Sequence, residues 1–342
     1  MTSVYPASLP SYTSVVDGQT VIDAARLNQI QDDLVAIANT LGLNPQLTAA
    51  TVAAFLTNMQ PSGEGYMFNG QIVVSAAAGA LTVAIKTLAG SDPSTSSPVT
   101  VKIGNTLRSI TAALSITIAA AVNTFNSGGA ERATQEGDYF VYLGYNATDG
   151  VVLGVCPKPF FRQYSEFNVT ATNESYCAIS TITHAVSTDY CAVVGRFAAT
   201  LSAGAGYTWT VPTFTAINLI QRPIFETRIL TCVSATTGFS ADYTRTVLYQ
   251  IVGRQMWYSH QRTAGGTSNT TGFTVTLPFS ASQTFTNVYG LGQNATVFIS
   301  VTYITAAGSN ILTLCVNASV TAASWTASGT KFLNMATWIP IG

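Results

Sequence analysis

Asp17-Gly-Gln-Thr-Val-Ile-Asp-Ala-Ala-Arg-Leu-Asn-Gln-Ile-Gln-Asp-Asp-Leu-Val-Ala-Ile-Ala-Asn-Thr-Leu-Gly42 is the stretch from which the organisation of this chain is read. Its apolar residues Leu27, Ile30, Leu34, Ile37 and Leu41 recur at alternating intervals of three and four, the seam of a coiled coil and narrower than the apolar face of a globular helix. With Leu27, Leu34 and Leu41 at a and Ile30 and Ile37 at d, the core residues favour three or four strands over two. Thr20 followed by Asp23 fits a capping box with Asp in place of Glu or Gln, and Asp23 before Ala24-Ala25 offers a second cap one turn later. Gly42 suits the left-handed closing position and Pro45 stops any continuation. The helix expected over residues 20–41 is roughly 33 Å long. The expectation is an oligomer, with an amphipathic helix packed on its own domain as the alternative.

Working outward, the composition agrees with a chain that hides its surface in contacts. Hydrophobic residues make up 47% of the 342 residues and charged residues only 8%, against roughly a quarter charged in ordinary soluble domains. Polar surface must come from Thr, Ser, Asn and Gln. The net charge of −1, without a basic or acidic run, gives no footprint for nucleic acid or an anionic membrane surface. The longest apolar stretch, residues 110–122, is too short to span a bilayer and is broken by Thr111, Ser115 and Thr117, so membrane insertion is not expected. Met-Thr-Ser-Val-Tyr-Pro at the N-terminus lacks the features of a signal peptide, and cytosolic synthesis is expected. The five cysteines, Cys156, Cys177, Cys191, Cys232 and Cys315, have no Cys-x-x-Cys spacing and read as buried thiols, with a Cys177–Cys191 bridge left open.

Residues 1–16 form an extended arm with Tyr5, Pro6, Pro10 and Tyr12. Val52, Phe55, Leu56 and Met59 mark a second short helix over residues 47–59. From Tyr66 onward the period changes to two. Residues 109–118 place Ile110, Leu114, Ile116 and Ile118 on one face, and residues 139–145 place Tyr139, Val141, Leu143 and Tyr145 on one side, as half-buried strands do. Further strands are expected over residues 246–252, 272–278, 296–303 and 310–316, with loops at 90–98, 126–129 and 202–206. The expected fold class is mainly β: a short N-terminal coiled coil over residues 1–60, a middle β-domain over 61–222 and a C-terminal β-domain over 223–342, each an antiparallel sandwich or jelly-roll-like unit.

Tyr5-Pro-Ala-Ser-Leu-Pro-Ser-Tyr-Thr13 followed by Val16-Asp-Gly-Gln-Thr-Val-Ile-Asp-Ala-Ala-Arg-Leu-Asn-Gln-Ile-Gln-Asp33 resembles an N-terminal module of bacteriophage virion proteins, particularly fibre components. Gly266-Thr-Ser-Asn-Thr-Thr-Gly-Phe-Thr-Val-Thr-Leu-Pro278 is similar to a segment in the C-terminal β-domains of such proteins. The resemblance implies a homotrimeric virion fibre assembled in the host cytoplasm. Its residues 1–45 would contact other virion proteins and its C-terminal domain would face outward. A short coiled coil without a shaft repeat fits a head fibre, capsid decoration or tail-tip protein as well as a long tail fibre.

Signatures of catalysis are sparse. The two histidines, His184 and His260, have no metal-ligand spacing, Gly-x-Ser-x-Gly is absent, and Gly204-Ala-Gly206 and Gly290-Leu-Gly292 complete no phosphate-binding loop. No cofactor, metal or catalytic residue is assigned. A glycan-cleaving tailspike would need paired carboxylates, for which Glu131 with Glu136 and Glu166 with Glu174 are the candidates. A ligand site is more plausible in Gly253-Arg-Gln-Met-Trp-Tyr-Ser-His-Gln-Arg262, where Arg254, Trp257, Tyr258, His260 and Arg262 combine aromatic faces with donors suited to a host-surface glycan. The structural alternative is a strand with Trp257 in the core and the charges outside. Tyr207 and Trp209 form a weaker candidate of the same kind.

Overall fold

A computed structural model of the chain describes residues 66–118, 130–131, 134–163, 166, 178–179, 189–202, 208–217, 228–238, 244–267, 273–294, 297–316 and 330–342, with Asn28 and residues 31–33 nearer the N-terminus. The chain divides into two compact units, Met1–Ser62 and Gly63–Gly342. In the first, Asn28 and residues 31–33 are helical. Leu27, Ile30, Leu34, Ile37 and Leu41 lie outside the described residues, as do the second expected helix and the expected boundaries at 60/61 and 222/223.

The second unit is built of strands, and all their pairings are antiparallel among the described residues. It begins with β1 (Met67–Phe68), β2 (Gly70–Ala77), β3 (Ala80–Thr87), β4 (Val99–Ile103), β5 (Thr106–Ile110) and β6 (Leu114–Ile118). These form two three-stranded sheets, β1-β4-β5 and β2-β3-β6. Ala78 and Gly79, with φ of 50° and 79°, supply the two left-handed residues of the tight turn between β2 and β3.

Next come β7 (Ala130–Glu131), β8 (Glu136–Asn146), β9 (Gly150–Cys156), β10 (Ala178–Ile179), β11 (Cys191–Thr200) and β12 (Phe214–Ile217). All but β7 make a five-stranded sheet in the order β10-β9-β8-β11-β12. The remaining strands are β13 (Leu230–Thr237), β14 (Thr244–Val252), β15 (Gln255–Thr267), β16 (Thr274–Thr276), β17 (Phe285–Asn294), β18 (Val297–Thr305), β19 (Ile311–Val316) and β20 (Thr330–Pro340). With β7 they run β14-β15-β20-β17-β18-β19-β16-β13-β7, and β13 also pairs with β14. The hydrogen bonding therefore returns on itself around β13 to β20, leaving those strands without a lateral edge.

Three apolar clusters follow from this layering. One lies within the ring and includes Val247, Tyr249, Met256, Tyr258, Leu333 and Ile339. A second gathers Leu81, Val83, Val101 and Ile110 from the small sheets onto Tyr139, Val141, Leu143 and Phe197 of the five-stranded sheet. A third, with Phe140, Tyr142, Val152 and Phe161, covers that sheet's other face.

Two expectations are corrected here. Residues 109–118 are not one strand: β5 ends at Ile110 and β6 starts at Leu114 in the other small sheet, so the chain crosses between sheets at Thr111, Ala112 and Ala113 while Ile110 and Ile118 share one core. β8 alternates as expected, yet it is not half-buried, because apolar layers cover both faces of the five-stranded sheet. On neighbouring β11 the register shifts between Val193 and Gly195. This bulge inverts the parity: Cys191 and Val193 face one cluster, while Val194, Phe197 and Ala199 face the other.

Candidate functional site

The segment 253–262 folds as the turn of the β14–β15 hairpin and the strand that leaves it. Val252 pairs with Gln255 across Gly253-Arg254, with Gly253 at φ 56°. Alternation then separates the expected ligand residues. Met256, Tyr258 and His260 point into the ring core and are buried, whereas Trp257 is half-buried on the outer face, opposite Gln250 and Trp338. Tyr258 donates to Ser234 Oγ at 3.3 Å, Ser234 donates in turn to the Thr276 carbonyl, and burial pushes the Tyr258 hydroxyl well above its ordinary pKa. Arg254 is engaged by Glu166 at 2.7 Å and lies 4.8 Å from the Phe160 ring centre. Arg262 stands at the β15 bulge, where pairing with β20 shifts before Gly266, and its side chain lies outside the described residues. Trp257 thus lies on the face of β15 opposite Tyr258 and His260, so these three share no pocket. Tyr207 also lies outside the described residues, and Trp209 is core, edge-on to Tyr139 at 5.2 Å.

The carboxylates considered for glycan cleavage are engaged where they are described. Glu136 accepts from the Thr213 hydroxyl at 2.7 Å and pairs with Arg228 at 2.6 Å, and these contacts hold its pKa below the ordinary value against the opposing effect of burial. For Glu166, burial acts upward but is outweighed by the N–H groups of Arg162 and Gln163 and by Arg254, so its pKa is also lowered. A general acid needs a shift in the other direction. The Glu131 side chain and Glu174 lie outside the described residues.

Two surface features remain. The outer face of β14, β15, β20 and β17 carries Leu248 (41% exposed), Val252 (43%), Trp338 (48%) and Leu291 (48%) beside Trp257, with no charged side chain among its described residues. The second is a cleft of about 430 Å³ lined by Gly104, Asn105, Arg108, Tyr145, Asp189 and Tyr190 among others. Arg108 faces Val101 across β4–β5, in the core-facing row that also holds Ile110, and its guanidinium lies 3.5 Å over the Tyr145 ring at the rim of the core. Its Nε is buried and makes no hydrogen bond. Tyr190 is 55% exposed, yet its carbonyl accepts from the Tyr145 N–H at 3.2 Å and its backbone bridges Gln163. Its ring rests on the backbone of Gly104, where a Cβ would come within 3.4 Å. Asp189 accepts from Asn146 Nδ2 at 2.7 Å, and Asn146 Oδ1 in turn accepts from the Thr148 and Asp149 N–H groups of the β8–β9 turn.

No protein-family model, curated protein or solved structure matches the chain.

Sequence spacing gives no sign of this cleft. Arg108, Tyr145 and Tyr190 are far apart in sequence and meet only because the β4–β5 hairpin packs beside β8 and β11. The one local signal is the Gly104-Asn105 turn, with Arg108 as the sole charge of β5. Among the described residues no cluster of His, Cys, Asp and Glu is arranged to hold a metal. Cys156, Cys191 and Cys232 are buried thiols.

Proposed function

We propose that this chain is a structural component of a bacteriophage particle, a homotrimeric fibre or tail-tip protein that attaches by its N-terminus and displays its β-unit for host adhesion. In this reading the seam of Leu27, Ile30, Leu34, Ile37 and Leu41 forms a trimeric coiled coil. Residues 1–45 meet other virion proteins, and the strands from 61 to 342 form two sandwich or jelly-roll-like domains. The observation that carries the reading is the order along the chain: a virion-type attachment sequence with an a/d seam, followed by a mainly β body. The outer face with Trp257 and Trp338, which has no charged side chain among its described residues, supports it, because a chain with 8% charged residues gains solubility by covering such a face with a second copy.

A capsid decoration or head-fibre role is the second reading, favoured by the brevity of the seam and the lack of a shaft repeat. A glycan-degrading tailspike is less favoured, since Glu136 and Glu166 are committed to Arg228 and Arg254. The test is immunogold labelling of intact particles with an antibody raised against residues 63–342. Label at the tail supports the fibre or tail-tip role, label on the capsid supports decoration, and unlabelled particles overturn both.

A further inference from the structure

We propose that the cleft between the β4–β5 turn and strands β8 and β11 binds a neutral saccharide ring, with Tyr190 as the stacking face and Arg108 and Asp189 as the pair that reads its hydroxyls. The inference stands on the cleft alone and does not depend on the particle assignment.

Tyr190 is exposed on its ring and fixed through its backbone. The Tyr145 N–H, the bridge to Gln163 and the bond from the Cys191 N–H to the Arg162 carbonyl at 2.9 Å hold the chain, and Gly104 supports the ring from below. Such a platform loses little freedom when a ligand settles on it. A Cβ at position 104 would make ordinary contact with the ring at 3.4 Å, and it is the φ of 58° there that favours glycine.

Arg108 supplies the donors. A guanidinium carries five N–H groups, and its stacking on Tyr145 satisfies none of them. Among the described residues no oxygen accepts a hydrogen bond from it. A half-buried cation in that condition is costly unless oxygen acceptors approach it from the open side. Asp189 adds a carboxylate to the lining, oriented by Asn146 Nδ2 at 2.7 Å.

The combination selects the ligand. An anion would meet the Asp189 carboxylate as well as Arg108, and an apolar molecule would leave the Arg108 donors unmatched. A pyranose ring presents a C–H face to an aromatic ring, and hydroxyls that donate to a carboxylate while accepting from a guanidinium. The volume of about 430 Å³ lies within the usual span of small-molecule sites, roughly 300–1,000 Å³.

Saturation-transfer NMR on the full chain, with glucose, galactose, mannose, N-acetylglucosamine and rhamnose as separate probes, tests this. At least one sugar is expected to receive saturation on its ring C–H protons. Tyr190→Ala and Arg108→Leu should each weaken that binding by about tenfold or more. Tyr190→Phe should retain it, and Trp338→Ala on the outer face should leave it unchanged. The inference is overturned if none of the five sugars is saturated, if binding persists in both Tyr190→Ala and Arg108→Leu, or if Trp338→Ala abolishes it.

Discussion

Asp138 shows how a chain with few charges uses them. It is buried on β8 and accepts from Arg228 through Nη2 at 2.6 Å and Nε at 3.1 Å, while Arg196 Nε lies 3.7 Å away. Arg228 also reaches Glu136 at 2.6 Å, so the entry to β13 is tied to β8 by one guanidinium. Removing one partner of a buried pair costs about 3–5 kcal/mol, because the remaining charge loses its compensation. Asp138→Asn should therefore lower the unfolding free energy by an amount near the lower end of that range, since Arg228 is partly exposed, and a lowered urea midpoint at unchanged slope checks it. Glu136 gives a pH signature. Its folded pKa is depressed, first by the Thr213 hydroxyl and then by Arg228, so its contribution is complete above the unfolded value of about 4.3 and is lost as pH falls through the folded one. Glu136→Gln should then lose less stability than the parent between about pH 7 and about pH 3, measured as the shift of the urea midpoint. These pairings were not legible in the sequence. Arg254 stands among aromatics in sequence but is engaged by a glutamate 88 residues away, while Arg108 has no aromatic sequence neighbour and stacks on Tyr145.

At the scale of the strand, alternation was readable and its interruptions were not. The apolar rows of β8 and β14 stand where period two places them, and β18 and β19 lie within two residues of their expected bounds. The burial of both β8 faces was hidden because Phe140 and Tyr142 look like outward residues until Phe161 and Cys156 cover them. The β11 bulge had one local signal, Gly195 inside an apolar run, but a lone glycine does not fix where the register shifts. Val194 is the residue that the β11 bulge inserts, so deleting it should restore strict alternation with Phe197 still opposite Tyr139 and Ala199 opposite Gly137. Thermal unfolding should stay cooperative, with the melting temperature lowered by the loss of the buried Val194 side chain, as in Val194→Ala. The outer face of β14, β15, β20 and β17 allows a complementary experiment. Trp338 is 48% exposed, so Trp338→Glu should change the stability of the isolated subunit by no more than about 0.5 kcal/mol. If that face meets another copy, the same change buries an unpaired carboxylate at the contact and the assembly should dissociate in light scattering.

For the whole molecule, the two units raise the question of which one would hold the subunits of the proposed trimer together. The seam from Leu27 to Leu41 spans just over two heptads, a length at which an isolated helix is marginal in water because nucleation is costly. Association also costs translational and rotational freedom on the order of 4–15 kcal/mol, so five Leu and Ile side chains are a narrow base for a trimer. The unit Gly63–Gly342 has a core of its own and still presents two tryptophans and three aliphatic side chains on a face without a charged side chain among its described residues. In the proposed trimer, contacts through that face would raise the local concentration of the N-terminal helices, and the seam would then close as a nearly intramolecular step. The order of dependence follows. The full chain should scatter as three copies, residues 1–60 alone as a monomer at micromolar concentration, and residues 63–342 alone as a trimer. Leu34→Asp in the full chain should fray the N-terminal helix without dissociating the body, while Trp338→Glu should release subunits even with the seam intact. A tightly trimeric 1–60 fragment beside a monomeric 63–342 fragment would place the contacts in the helix instead, and the tryptophan face would then need another occupant.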